Sequence, residues 1–195
     1  QIHCGSGRKN AERRIIMAST DIWTIQRILQ WTTCYFKNHG VEEARLDAEL
    51  LLAHVLKKTR IYLYTNFDQM LNRDELAAYH TLVERRAKGI CVAALTGHKD
   101  FMGLDFFVNE HVLIPRPDTE EWLEKIIQRY RAKGNLHVLD LGTGSGAILL
   151  SFLTYCAEAD GVAVGISPEA LAVAKKNAEY MKLENRVEFR QGDFI

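Results

Sequence analysis

Several features that would point to a particular class of protein are missing from this sequence. No apolar run approaches the ~18 residues of a membrane-spanning helix, and no charged-then-apolar signal opens the chain. The 25 basic and 25 acidic side chains cancel, so no global field favours nucleic acid or a membrane surface. Cys4, Cys34, Cys91 and Cys156 are scattered with no C-x-x-C pair. They read as reduced thiols of a cytoplasmic protein, favouring neither a disulfide framework nor a zinc site. The seven histidines lack ligand spacing, so no metal is expected. There are three prolines, two of them flanking Arg116. Repeats and low-complexity segments are absent.

The remainder is ordinary for a soluble globular protein, with 47% apolar and 26% charged residues. A length of 195 residues allows one domain or two small ones. Residues 1–16 read as a disordered or non-native leader, basic at Arg8, Lys9, Arg13 and Arg14, with a natural start expected at Met17.

From Thr24 to His39 the residues Ile25, Ile28, Leu29, Thr32 and Phe36 recur at helical spacing, with Gly40 as a stop. A second helix follows, with Leu46, Leu50, Ala53 and His54 on one face and Leu51, Leu52 and Val55 broadening it. Tyr62 to Phe67 is a short helical turn or an extended link. Asn72-x-x-Glu75 is a capping-box start to a third long helix carrying Leu76, Tyr79, Leu82, Val83 and Arg86, ended by Gly89. Residues 17–89 therefore read as a helical domain.

Residues 90–112 read as a β-hairpin linker, with strands at Val92–Leu95 and over Lys99–Val108 around a glycine-containing turn. In Ile114-Pro115-Arg116-Pro117-Asp118-Thr119-Glu120 the two prolines impose an extended backbone around Arg116. Asp118 or Thr119 is expected to cap the next helix, whose apolar stripe reads Trp122, Ile126 and Tyr130. Beyond it, strand–helix–strand–helix–strand over Leu136–Arg190 is the first half of a doubly wound parallel sheet. Ser167 and Pro168 open its second helix.

The first strand of that unit runs into Asp140-Leu141-Gly142-Thr143-Gly144-Ser145-Gly146-Ala147. Glycines at alternate positions permit a tight reversal and a close ligand approach, and the following helix offers unpaired N–H groups. Gly142-x-Gly144-x-x-Ala147 satisfies a relaxed dinucleotide fingerprint. An acid two residues before the first glycine would repel a pyrophosphate, however, while it suits the ammonium of a methionine moiety. The full string resembles the first motif of S-adenosylmethionine-dependent methyltransferases.

Taken in order, the helical part, the hairpin with Leu95-Thr96-Gly97 and Phe101-Met102-Gly103, the I-P-R-P-D-T-E string and the glycine motif resemble one family. It is that of the bacterial release factor glutamine methyltransferases, or HemK family, over about Ile22 to Phe194. The resemblance implies a helical N-terminal domain that docks substrate, a β-hairpin linker, and residues 113–195 as a partial Rossmann-like methyltransferase domain. It implies methyl transfer from S-adenosylmethionine to the glutamine side-chain amide in the Gly-Gly-Gln motif of class 1 peptide chain release factors, with no direct nucleic-acid partner and no membrane. Asp140, Gly142, Thr143, Gly144, Ser145, Gly146, Gly165 and Asp193 would line the cofactor by the same resemblance. Phe101, Arg116, Thr119 and Glu120 would flank it.

Two departures stand out. Gly165 occupies the position where methyltransferases normally carry a ribose-binding acid, so weakened cofactor affinity is expected, and Glu169 is a doubtful substitute. The family's catalytic Asn-Pro-Pro-Tyr motif does not occur by Ile195. No catalytic residue is therefore assigned, and the chain is expected to be an inactive fragment, with one side of its sheet unpaired and one apolar face uncovered. Other readings are a fragment of a nucleic-acid adenine methyltransferase, a non-catalytic module that still docks a release factor, and a nicotinamide dehydrogenase.

Overall fold

The computed structural model describes residues 22–193, so the leader reading for residues 1–16 lies outside the described residues. The chain divides into two compact units, met here as residues 22–92 and 93–193.

The first unit is helical: α1 (Ile25–Asn38), α2 (Ala44–Leu56), α3 (Arg60–Thr65) and α4 (Arg73–Ala87). Ile25, Ile28, Leu29, Thr32 and Phe36 are all buried on α1, so its sequence period is its packing face. The capping box at Asn72 and Glu75 is formed in both directions at 2.8 Å, satisfying two backbone donors that a helix start leaves unpaired. Tyr62–Phe67 resolves toward helix, as α3, opened by the Thr59 side chain.

The face expected for α2 is corrected. His54 is exposed, and the buried side is Ala44, Asp47, Ala48, Leu51 and Leu52, with Glu49 and Ala53. Hydropathy misplaces this face because two acids lie inside it. The Asp47 carboxylate accepts from Arg86 Nε of α4 at 2.7 Å. Glu49, 1% exposed, accepts from Arg45, from Arg60 at 2.8 Å and from the Tyr64 hydroxyl at 2.8 Å. A buried carboxylate persists when its lone pairs are filled in this way.

Val92–Thr96, which begins on the last residue of the first unit, forms a short helix, α5, instead of the expected strand. Four residues without alternation specify neither state locally. Here Leu95 is buried, and Gly97, at φ +82°, turns the chain away, its amide donating to the Ala93 carbonyl at 2.8 Å. The hairpin is β1 (His98–Phe101) paired antiparallel with β2 (Leu104–Phe107). It belongs to the second unit instead of bridging the two, since Phe101, Phe106, Val108 and Val112 share a core with the helices of the sheet.

Next comes α6 (Pro117–Tyr130), whose N-cap is Arg116, not Asp118 or Thr119. Proline has no amide hydrogen and a fixed φ, so Pro117 takes the first helical position. It holds Arg116 extended at φ −104° and ψ 146°. The buried stripe is Leu123 and Ile127, with Ile126 and Tyr130 half-buried and Trp122 55% exposed. The expected stripe is thus one position out of phase.

The sheet comprises β3 (His137–Leu141), β4 (Asp160–Gly165) and β5 (Val187–Gln191), parallel and in the order β3-β4-β5. The crossovers are α7 (Ala147–Tyr155) and α8 (Pro168–Tyr180). These helices cover the face that carries Gly161, Ala163 and Gly165, where Leu149 and Leu171 pack against the glycine positions. The opposite face carries Leu139 and Leu141, which are 62% and 53% exposed. Among the described residues no helix is long and apolar enough to cross a membrane, and no cluster could hold a metal ion.

Burial pushes the Glu49 carboxyl up, but the hydrogen bonds from Arg60, Tyr64 and Arg45 outweigh it and hold the group below its ordinary value of 4.5. A lowered folded-state value stabilises above the unfolded value, and that stabilisation is lost as pH falls through the folded one. Glu49→Gln is expected to lower stability by about 1–3 kcal/mol at neutral pH and to flatten the loss of helix signal below roughly pH 4.5. Urea melts followed by circular dichroism across that range would show it.

Candidate functional site

The three parallel strands end together, and the segments that follow them are tied to one another by hydrogen bonds. The amides of Gly142 and Thr143 both donate to the Val164 carbonyl, at 2.9 and 3.0 Å. The Gly192 amide donates to the Gly165 carbonyl at 3.1 Å, and Gln191 Nε2 donates to the Ile166 carbonyl at 3.2 Å. Residues 140–146, 165–167 and 191–193 thus stand side by side at the carboxyl ends of β3, β4 and β5. That is where open α/β sheets bind ligands.

Gly142, Gly144 and Gly146 all have positive φ, at 80°, 56° and 80°. The case for glycine is strongest at Gly146, the N-cap of α7. A Cβ there would lie 2.9 Å from Leu150 Cδ1 and 3.3 Å from Ala174 Cβ, so glycine also lets α7 and α8 approach. The Gly146 amide closes the turn on the Thr143 carbonyl at 2.8 Å. The first amides of α7 have no acceptor inside the helix and stand at the turn.

Asp140 lies beneath this turn and accepts from the Thr143 hydroxyl at 2.7 Å. Burial pushes its carboxyl up, and the Thr143 bond only partly offsets this. A carboxylate short of solvation, with a single side-chain donor, has capacity for a cation. It would repel a pyrophosphate at the same place. Asp140 and the positive-φ glycines therefore bring a desolvated carboxylate and exposed backbone to one place.

Gly165 is buried, and an added Cβ would meet Leu171 Cδ2 at 3.2 Å and Thr143 Cγ2 at 3.9 Å. Glu169 is exposed on the first turn of α8, and its Oε2 accepts from the Ser167 hydroxyl at 2.8 Å. Asp193 lies exposed just past the end of β5. Arg116, Thr119 and Glu120 sit at the start of α6, and none makes a side-chain hydrogen bond to the glycine turn. Phe101, expected to flank the cofactor, lies in the core. It is 1% exposed and packs edge-to-face on Phe106 at 6.1 Å, leaving no surface for a ligand. Reading the sequence missed Asn177, a fully buried side chain on α8 bonded to the Ser145 carbonyl. An asparagine inside an amphipathic pattern gave no signal of that role.

Comparison with known proteins gives a consistent picture. A PrmC N-terminal domain matches residues 27–97 and a methyltransferase domain matches residues 132–195. A release factor glutamine methyltransferase of Rhodopirellula baltica is 43% identical over 177 residues, which is 89% of this chain and 60% of that protein. The enzyme of the same name from Geobacter sulfurreducens is 46% identical over 159 residues, 82% of this chain and 55% of that protein. The chain therefore spans little more than half the length of these relatives. Among solved structures, a SAM-dependent methyltransferase from Thiobacillus denitrificans in complex with S-adenosyl-L-homocysteine is 30% identical. That overlap covers 37% of this chain and 29% of the other, with a TM-score of 0.34.

Gly146→Ala adds a methyl group where there is no room and places a β-carbon at φ 80°. Overpacking and backbone strain together are expected to destabilise the second unit by about 1–3 kcal/mol. Thermal unfolding would show a lowered midpoint, whereas an unchanged one would mean that α7 and α8 move apart freely.

Proposed function

We propose that this chain, similar from its helical unit to its last strand to the release factor glutamine methyltransferases, carries the cofactor-binding half of such an enzyme. The cofactor is S-adenosylmethionine. The observation that carries the reading is Asp140, a desolvated carboxylate under a three-glycine turn.

The residues present fit that cofactor. Asp140 would take the ammonium of its methionine end, and Gly142 to Gly146 would wrap the same end. Ile166, 59% exposed beyond β4, and Asp193 beyond β5 would stand along the nucleoside. When bound, the cofactor supplies an electrophilic methyl group on a sulfonium. The chain's own residues bind and orient: Thr143 steadies the Asp140 carboxylate, while the Val164 carbonyl holds the turn against the sheet. The helical unit would dock the substrate, a class 1 release factor whose glutamine side-chain amide accepts the methyl. In the family resembled, amide recognition belongs to Asn-Pro-Pro-Tyr, a string that does not occur in these 195 residues. Cofactor binding is therefore the direct test.

Asp140→Asn is expected to weaken S-adenosylhomocysteine binding by about 1.5–3 kcal/mol, roughly ten- to a hundredfold. Ligand-free stability should hold or rise. Because the Asp140 value is raised in the folded protein, its ionised form is the costly one, and stability without ligand falls as pH rises through that value. An ammonium needs the ionised form, so affinity should rise with pH over the same window and become flat in Asp140→Asn. Calorimetric titrations at several pH values decide this, and equal affinity for the two proteins would count against the role of Asp140.

Gly165→Asp restores an acid at the ribose position. Gly165 is not among the glycines with positive φ, and Leu171 need give way only by a few tenths of an ångström. One to two charge-assisted hydrogen bonds should tighten binding by roughly tenfold or more. A variant that folds and binds no better would remove the ribose from this position.

A further inference from the structure

Asn177 is fully buried in the last turn of α8. Its side-chain oxygen accepts from the Phe107 amide at 2.7 Å. Its Nδ2 donates to the Phe107 carbonyl at 2.9 Å and to the Ser145 carbonyl at 2.9 Å. Both amide hydrogens and one oxygen lone pair are therefore used, across sequence separations of 70 and 32 residues. For Phe107, at the end of β2, the side chain acts as a neighbouring strand would. For Ser145 it fixes a carbonyl in the middle of the glycine turn.

That carbonyl matters because the peptide unit is planar. The Ser145 oxygen and the Gly146 amide hydrogen belong to the same plane, so fixing one directs the other, which closes the turn on Thr143 at 2.8 Å. At its hairpin end the clamp is extended by further contacts from α7 and α8. Lys176 Nζ stands 3.8 Å from the Phe107 ring centroid, Tyr180 meets the same ring edge-on at 5.2 Å, and the Tyr155 hydroxyl donates to the Met102 carbonyl at 2.6 Å. Phe107 is also where the chain leaves the hairpin for the proline-framed Arg116. A buried amide that lost these partners would be costly, so the three elements are fixed as a set.

We propose that Asn177 is a positioning residue. It orients the Ser145–Gly146 peptide for the cofactor and couples the glycine turn to the hairpin, so that ordering one orders the other. The identity of the ligand rests on the methyltransferase reading, but the coupling itself does not.

Hydrogen exchange on the full chain without ligand tests the coupling. In Asn177→Ala, amides of residues 98–107 and 142–147 should exchange together, about tenfold faster than wild type, while residues 184–191 keep their rate. Acceleration of only one of the two segments, or of all three alike, would overturn the proposal. If Asn177→Ala does not fold, Asn177→Asp takes its place in the same comparison.

The aspartate variant adds a second readout. Its ionised carboxylate would face two carbonyls, whereas the protonated form regains one donor. Its deficit in S-adenosylhomocysteine affinity relative to wild type should therefore shrink as pH falls, and a constant deficit contradicts the positioning role. If wild type itself binds no S-adenosylhomocysteine, the methyltransferase reading fails while the exchange comparison still decides the coupling.

Discussion

The site depends on one carbonyl receiving two amides. Gly142 and Thr143 both donate to Val164, which stops the chain at the end of β3 and folds it back over β4 before α7 begins. A side chain at Gly146 would collide with Leu150 and Ala174, so the turn is also the point where the two crossover helices meet. The ligand-facing backbone and the packing of the unit therefore share one constraint. Asp140 lies under it, desolvated by burial and bonded to the Thr143 hydroxyl, and on the proposed function that carboxylate takes the positive charge of the ligand.

The sequence was most informative where local chemistry and tertiary packing agree. The face of α1, the capping box of α4, the Ser167-Pro168 start of α8 and the parallel order of the three strands all follow from period, caps and crossover rules. The glycine turn and its acid were legible for the same reason, since both the backbone and the ligand require those residue types. Legibility failed where burial reversed polarity. On α2, Asp47 and Glu49 point inward because arginines and a tyrosine fill their lone pairs, and no hydropathy pattern reports that. On α6 the proline rule sets the cap at Arg116, two residues before Asp118 and three before Thr119, and the apolar stripe was read one position out of phase.

The hairpin shows the other limit. Its glycine-containing turn is visible in the sequence, but its attachment is not. Phe101 belongs to the core shared with the sheet helices, and the Phe107 backbone is paired with the side chain of an asparagine 70 residues away. Long-range satisfaction of buried polar groups leaves no periodic trace in the sequence, yet here it decides which segments order together.

On the proposed function, Asp140 and the glycine turn accept an ammonium-bearing nucleoside and reject a pyrophosphate. The most direct measurement is a pair of calorimetric titrations into the full chain, one with S-adenosylhomocysteine and one with a nicotinamide dinucleotide. The account predicts saturable binding of the first and none of the second. Binding of the dinucleotide alone would contradict it, because Asp140 would then be facing the phosphate charge it should repel.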